Sequence, residues 1–329
     1  MSRGVKPSQL GLSLAMKNKI INGCFRLWQR NTTFSANGYT ADRWYAFLGT
    51  GGSPTMTLSR QAFTLGQTDV PGEPQYYCRF NQTALASSTA PYLEQRIESV
   101  RTLAGQSASI SFYAKADAAR TVSADAIQNF GTTGSPSGSV TTNIGSFNLT
   151  TSWQRFTKQV TLPSISGKTL GTDNNDYLSL RFTLPLNATF TVEFDQVQLE
   201  AGGASTFEVR DIGVELRLSQ RYYEKSYDIG TVPGTSTSNG IIEYCMTNTT
   251  LVLAAYVGYK TPKRAVPAIT FWDRVGNISK FSQWTVPGGW VADNLASPAV
   301  SSSGESGFML YNNATTYYMA VHYGADSEL

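Results

Sequence analysis

Charge is the scarcest feature of this chain. Lys, Arg, Asp and Glu make up 15% of its 329 residues, against about 25% in an average globular chain. Ser, Thr, Asn, Gln and Gly stand in their place. There is a single histidine, His322, so chemistry that needs an imidazole base has one candidate. It falls inside the alternating stretch TTYYMAVHYGA, where a structural role is expected. The three cysteines, Cys24, Cys78 and Cys245, are far apart and form no CxxC or Cys/His cluster. That pattern indicates neither a zinc site nor a disulfide framework, and predicts buried free thiols in a protein folded in a reducing cytoplasm. No apolar run is long enough to span a bilayer, and Met1 to Asn18 lacks the apolar centre of a signal peptide. A basic body is missing as well. Residues 1–19 carry Arg3, Lys6, Lys17 and Lys19 and no acid, whereas the whole chain is +3, so the remainder sums to −1. This argues against nucleic acid and leaves a basic arm able to dock on an acidic partner surface.

Catalytic motifs are equally sparse. Gly167-Lys168-Thr169 has the look of a P-loop end, but Leu162 stands where the leading glycine belongs, so the phosphate cradle is missing. Asp173 and Asp176 in GTDNNDY are the nearest approach to a glycosidase carboxylate pair or to ligands for a hard cation. Their segment reads as a polar turn before a strand. No enzyme activity is expected.

What the chain does have is strand pattern. With 41% apolar residues, 17 Tyr and 16 Phe, it can fill a sizeable β core. Phe190 to Asp211 (FTVEFDQVQLEAGGASTFEVRD) organises the rest. Phe190, Val192, Phe194, Val197 and Leu199 alternate with polar residues, and the apolar register shifts at Asp195-Gln196, which predicts a bulged closing strand. Before it, 18–28, 39–45, 56–58, 76–80, 93–97, 108–116, 121–129, 153–162 and 177–182 read as strands at sandwich spacing. After it, Asp211 can cap a helix over 213–226. Gly230 to Gly240 reads as a linker, and 241–247, 251–259, 268–272, 307–311 and 316–323 read as further strands. The expected fold is all-β: an extended arm over 1–17, a jelly-roll sandwich over 18–212, a helical connector over 213–228 and a smaller C-terminal β-sandwich over 229–329.

Two groups of residues are candidates for contact with other molecules. Val214, Leu218 and Tyr222 share one helical face with Tyr223 beside it, more apolar surface than a small connector needs, which points to self-association. Of the six tryptophans, Trp28, Trp44 and Trp153 lie on strands and read as core. Trp272, Trp284 and Trp290 fall in the C-terminal part, the last two in the loop-like QWTVPGGWVADN. Exposed indoles stack on the apolar faces of sugars, so Trp272, Gln283, Trp284, Trp290 and Asp293 form the candidate glycan site, with Pro287-Gly288-Gly289 turning the two indoles together. Burial of these same tryptophans in the core is the competing expectation.

The two ends of the first unit carry a resemblance. NKIINGCFRLW (Asn18 to Trp28) resembles the opening strand of carbohydrate-binding-module jelly rolls, and DQVQLE (Asp195 to Glu200) their closing strand. In that family the two strands pair and often share a structural calcium, which the resemblance places at Asp195. Cys24 and Arg26 stand where acidic residues commonly occur, a departure from the calcium pattern, and no other cofactor is implied. More specifically, NGCFRLWQR, GYTADRWYA, EQRIESVRTLAGQSASISFYAKA, SWQRFTKQVTLPSI, FDQVQLEAGGASTFEVRDIG and SQRYYEKSYD, with the final YGADSEL, resemble a group of bacteriophage virion proteins of the tail-fibre and head-fibre type. That resemblance covers about 18–228 and the last residues. It implies a non-enzymatic homotrimeric fibre or adhesin, carried in the virion by its N-terminal arm and binding a host cell-surface glycan, without membrane insertion. A capsid head fibre or decoration protein is the alternative. A glycan depolymerase is the weakest, lacking a catalytic set and long β-helix repeats.

Overall fold

The computed structural model describes residues 16–49, 56–84, 89–186, 188–245, 253–285, 289–295, 298–312 and 318–329. Residues 1–15 of the expected arm therefore lie outside the described residues. Strands up to residue 201 form two six-stranded antiparallel sheets. The first runs β1 (Thr33–Phe34), β4 (Met56–Ala62), β5 (Tyr76–Gln82), β12 (Phe190–Ala201), β7 (Ser107–Ala116), β10 (Gln154–Thr161). The second runs β2 (Gly38–Tyr39), β3 (Trp44–Phe47), β6 (Tyr92–Glu98), β11 (Tyr177–Thr183), β8 (Arg120–Asn129), β9 (Val140–Leu149). Period-2 alternation sends one side chain in two toward the space between them. Phe112 and Phe194 from the first sheet meet Phe147 and Phe182 from the second there, the Phe112 ring lying 4.9 Å from both Phe147 and Phe182. Trp28 and Trp44 join this core as expected, 4% and 0% exposed. Strand β9 was not expected, because its Thr, Asn, Gly and Ser residues hide the alternation.

The bulge in β12 is where the sequence places it. Pairing with β7 shifts between Asp195 and Gln198, and Gln196 has φ 49°. The shift has a consequence for the opposite edge. Strand β12 pairs with β5 only from Phe190 to Phe194. Beyond the bulge that edge is taken by residues 18–23. The Lys19 N–H donates to the Leu199 carbonyl at 2.8 Å and the Val197 N–H to the Gly23 carbonyl at 2.8 Å. The Asn18 amide completes the exchange, donating to the Val197 carbonyl and accepting from the Leu199 N–H at 3.0 Å. The segment 18–28 is therefore not the regular strand its apolar residues suggest. Asn22 and Phe25 take φ of 56° and 49°, and side-chain amides do part of the pairing that a ladder would do.

Asp211 caps the helix, its carboxylate accepting from the Gly213 N–H at 2.8 Å. Helix α1 spans Ile212–Gln220 and ends earlier than expected. Tyr223 to Lys225 instead form β13 (Tyr223–Lys225), which pairs with the last strand, β21 (Tyr318–Asp326). β21 is the hub of the C-terminal part. It also pairs with β14 (Ile242–Cys245), β16 (Ala268–Trp272) and β17 (Phe281–Thr285), and β17 carries β18 (Gly289–Leu295). A three-stranded sheet of β15 (Leu253–Gly258), β20 (Gly307–Asn312) and β19 (Ala299–Ser303) packs on it through Phe271, Phe281, Phe308, Leu310, Val321 and Tyr323. Strands β17, β18 and β19 were not expected. The fold is all-β, with one short helix among the described residues.

Gly23 is required by the crossing at the bulge: a Cβ there would overlap the Val197 carbonyl. Gly23→Ala should cost about 1–3 kcal/mol, the range for forcing atoms into a packed site. At Gly203 a Cβ meets nothing within 4 Å, and Gly203→Ala should change stability little. Urea denaturation of the two variants checks both.

Candidate functional site

The C-terminal candidates fall on a hairpin rather than a loop. Strands β17 and β18 pair so that Trp284 lies directly opposite Trp290; Pro287 and Gly288 lie outside the described residues. Trp290 is half-buried, with the Arg274 guanidinium 4.9 Å from its ring centre. Asp293 is an internal staple, its carboxylate taken by Arg274 at 2.6 Å and by the Ser282 hydroxyl at 2.5 Å. Gln283 is half-buried and pairs with Ala292 and Met319. Trp272 packs edge-on against Tyr227 at 6.1 Å and opposite His322 in the ladder. Trp272 is half-buried there, and the residues that follow it, Asp273 and Arg274, bond to the hairpin at Asn294 and Asp293.

A different surface assembles itself on the outer face of the second sheet. Its ladder register aligns Tyr45, Glu94, Arg181, Asp125 and Asn143 in one row across β3, β6, β11, β8 and β9. Phe47, Tyr92, Thr183, Ser123 and Ser146 form the next row. Successive outward residues two apart on neighbouring strands put these rows side by side. Glu94, fully buried beneath its neighbours, accepts from Arg181 at 2.9 and 2.7 Å and from Arg96 at 3.2 Å. The two guanidinium planes are thereby fixed against rings. Arg181 lies 4.2 Å from the Tyr92 centre, and Arg96 lies 5.4 Å from Tyr45 and 5.1 Å from Tyr177. Phe47 stacks on Tyr92 at 5.0 Å with an interplanar angle of 16°. Asn143 donates to Asp125 at 2.9 Å. Burial raises the Tyr92 and Tyr177 phenols, keeping them neutral hydroxyls that can donate. The result is a half-exposed array of planar groups bordered by a carboxylate, an amide and hydroxyls. In sequence this surface is hidden because outward residues of a half-buried strand resemble an ordinary solvated face; the signal present is three aromatics, Tyr45, Phe47 and Tyr92, at polar-side positions.

The other candidates have structural roles. His322 is fully buried, with Nδ1 3.0 Å from the Ser226 hydroxyl, Nε2 3.0 Å from the Thr237 carbonyl and its ring stacked 3.7 Å from Tyr227. Burial lowers its pKa, so it is a neutral imidazole with both nitrogens engaged and no route to a substrate. Asp173 binds Thr132 and the Asn175 N–H, which holds its carboxyl down at about 2, and Asp176 accepts from Ser99 and from the Val100 N–H at 2.8 Å. Both staple loops. Burial pushes the Cys24 thiol up to about 12 and raises Cys78 as well, so neither is a thiolate nucleophile. Trp153, expected in the core, sits half-buried outside the first sheet against Tyr77 and Phe63. Tyr222 and Tyr223 are 4% and 6% exposed, enclosed by the chain's own packing. Val214 is exposed and Leu218 half-buried.

The residues around Asp195 do not fit the calcium that the jelly-roll resemblance implies. Asp195 is fully buried with both oxygens unpartnered, but calcium takes six to eight oxygen ligands. The Asn18 and Asn22 amide oxygens are spent on the Ile20, Leu199 and Leu27 N–H groups. Among the described residues no three His, Cys, Asp or Glu side chains are grouped to hold a metal. Burial instead pushes Asp195 well above the usual carboxylate range.

No protein-family model matches the chain, and no curated protein matches it. Solved structures show likenesses. The N-terminal cellulose-binding domain of Cellulomonas fimi β-1,4-glucanase C is 16% identical with a TM-score of 0.34, over 49% of this chain and 90% of that one. The family 11 carbohydrate-binding module of Clostridium thermocellum Lic26A-Cel5E is 14% identical with a TM-score of 0.31, over 53% and 92%. The enzymatically active domain of bacteriophage CBA120 tailspike protein 4 is 12% identical with a TM-score of 0.34, over 56% and 21%. At these values the likenesses decide nothing by themselves, and the sandwich is established by its own sheet order.

A group whose folded pKa is raised contributes stability that is complete below its unfolded value and is lost as pH rises through the folded value. For Asp195 that loss begins near the ordinary carboxylate value of about 4 and continues toward the raised one. Asp195→Asn should therefore gain stability relative to the parent as pH increases from about 4 to about 8. Thermal melts of both proteins across this range measure the difference, which cancels the other titrating groups.

Proposed function

We propose that the outer face of the second sheet is a glycan-binding surface. The observation that carries this is the row Tyr45–Glu94–Arg181–Asp125–Asn143 lying beside Phe47–Tyr92 on an open sheet face. Sugars present apolar C–H faces and dense hydroxyls, so they are held by aromatic surface beside donors and acceptors of fixed direction. Here the aromatic and guanidinium planes supply the first, and Arg181, Asp125, Asn143, Thr183 and Ser123 the second. Preorganisation by the buried Glu94 reduces the side-chain entropy lost on binding. A single surface of this kind gives a Kd on the order of a millimolar.

The setting we propose is the virion, and the support for it is the resemblance of 18–228 to phage fibre chains. A weak site then works through avidity in a homotrimer. The side of α1 turned away from the body offers the association surface: Ile212 and Val214 are each 38% exposed and Val209 is 71% exposed, whereas the buried side of the helix is polar, with Glu215, Ser219 and Gln220. The basic arm joins the fibre to an acidic surface of another virion protein.

Affinity electrophoresis in gels containing mixed-linkage β-glucan or bacterial lipopolysaccharide tests the site. Tyr92→Ala and Phe47→Ala should each weaken retention about tenfold with the fold intact, and Trp290→Ala should leave it unchanged. Loss on Trp290→Ala alone would move the site to the C-terminal hairpin. Light scattering should give a trimer mass for the parent and a monomer mass for the Val209→Asp, Ile212→Asp, Val214→Asp variant. A monomeric parent would remove the trimer.

A further inference from the structure

We propose a second, separate binding site on the opposite side of the sandwich, on the outer face of the first sheet, for a sugar residue that carries a carboxylate, such as a uronic acid. Ladder register again builds it. Arg79, Glu193 and Lys115 lie in one row across β5, β12 and β7, and Asn81 lies opposite Thr191 one row on. These residues and Asp117 line a cavity of about 320 Å³. That is the lower end of the size range for small-molecule sites, enough for one or two sugar rings.

The charges in the cavity do not balance. Glu193 is 3% exposed and accepts from Arg79 Nε at 2.6 Å, with Lys115 Nζ 3.2 Å from its other oxygen. Asp117 is consumed by Arg120, which grips it at 2.9 and 3.0 Å and holds its carboxyl below the usual range. Two cations thus share one carboxylate, and their side chains remain 35% and 30% exposed, with more N–H groups than Glu193 can accept. A surplus positive charge in a concave, half-desolvated site selects an anion.

The flank of the cavity selects a ring. The Lys115 ammonium is 5.4 Å from the Trp153 ring centre, and Trp153 is backed by Tyr77 and Phe63, both at 5.3 Å. An indole beside Lys115, at the edge of a cavity lined by that cation and an amide–hydroxyl pair, matches a pyranose bearing a carboxylate better than it matches a free anion. Because the whole core separates this cavity from the Tyr92 face, both sites can be filled at once. A protein with two faces of this kind would bridge strands of an acidic polysaccharide, gaining avidity without a second copy of the chain.

Amide NMR titration of the full chain with glucuronic acid, glucose and acetate tests the assignment. Glucuronic acid should shift amides in 79–81, 115–117 and 191–193 with a Kd on the order of a millimolar. Glucose should leave them unmoved, and acetate should bind about tenfold more weakly. Trp153→Ala and Lys115→Gln should each weaken glucuronic acid about tenfold, Lys115→Arg should retain it, and Tyr92→Ala should have no effect on these amides. Silence of these amides, acetate binding as tightly as glucuronic acid, or indifference to both Trp153→Ala and Lys115→Gln would overturn the proposal. A variant spectrum altered throughout would be replaced by a salt titration of the parent, in which binding must weaken as ionic strength rises. Since the Tyr92 face is read by its own amides, failure of one site is distinguishable from failure of the other.

Discussion

The structure depends on an exchange of partners along β12. A central strand must satisfy both of its edges. Strand β12 does so with β7 on one side from Val192 to Ala201, interrupted at the bulge, and on the other with β5 before the bulge and residues 18–23 after it. The bulge turns the strand so that β5 can leave, and Asn18 and Gly23 let an irregular segment take its place. That segment then holds the next element. Arg210 donates to the Ile20 carbonyl at 2.9 Å and to Glu215 at 3.2 Å, and Glu215 also accepts from the Asn22 N–H. Helix α1 is therefore docked by its polar side onto residues 18–22, which leaves Ile212 and Val214 outward.

The same logic fixes the C-terminal sheets against the sandwich. The junction is built from charge and hydrogen bonds rather than a shared apolar core. Arg30 reaches Asp326 at 2.8 Å, Arg43 reaches Glu328, Arg221 grips Glu98 at 2.9 and 2.8 Å, and Arg264 donates to the Asn174 carbonyl at 3.1 Å. Lys225 donates to the Gln29 carbonyl at 2.6 Å, and the Arg43–Glu328 pair is buried. Buried pairs of this kind add little net stability but penalise any other docking, because a shift strands a charge without a partner. In a chain with so few charges, their concentration here is informative. The junction also bounds the second sheet's outer face: the Leu329 carbonyl accepts from Tyr39 at 2.7 Å and from Arg96 at 2.5 Å, so the last residue closes the β2 and β3 end of that face.

Both outer faces of the sandwich use one device. A buried glutamate, Glu94 on one sheet and Glu193 on the other, holds two cations in place, and those cations are set against aromatic rings. The difference lies in charge and in shape. The second sheet spreads its planar groups along a row, whereas the first gathers its cations into a cavity.

Much of the fold was legible because its signals are local. The alternation of 108–116 and 190–200, the bulge at Asp195-Gln196 and the cap at Asp211 are each contained within a few residues, and period and side-chain chemistry specify them. The core position of Trp44 follows from the same kind of alternation. Strand β9 was illegible because its small polar residues carry no contrast, and 18–28 misled because its apolar residues pack in the core without forming a ladder. The surfaces were illegible for a different reason. Tyr45, Tyr92, Asp125, Asn143 and Arg181 are scattered over most of the first unit, and each alone is an ordinary outward residue. Trp153 reads as core until the structure places it just before β10 (Gln154–Thr161), against Tyr77 and Phe63. Only the pairing of strands distant in sequence decides which outward residues share a row, since register is a property of two strands together and a slip of one residue would turn every one of these side chains to the other face.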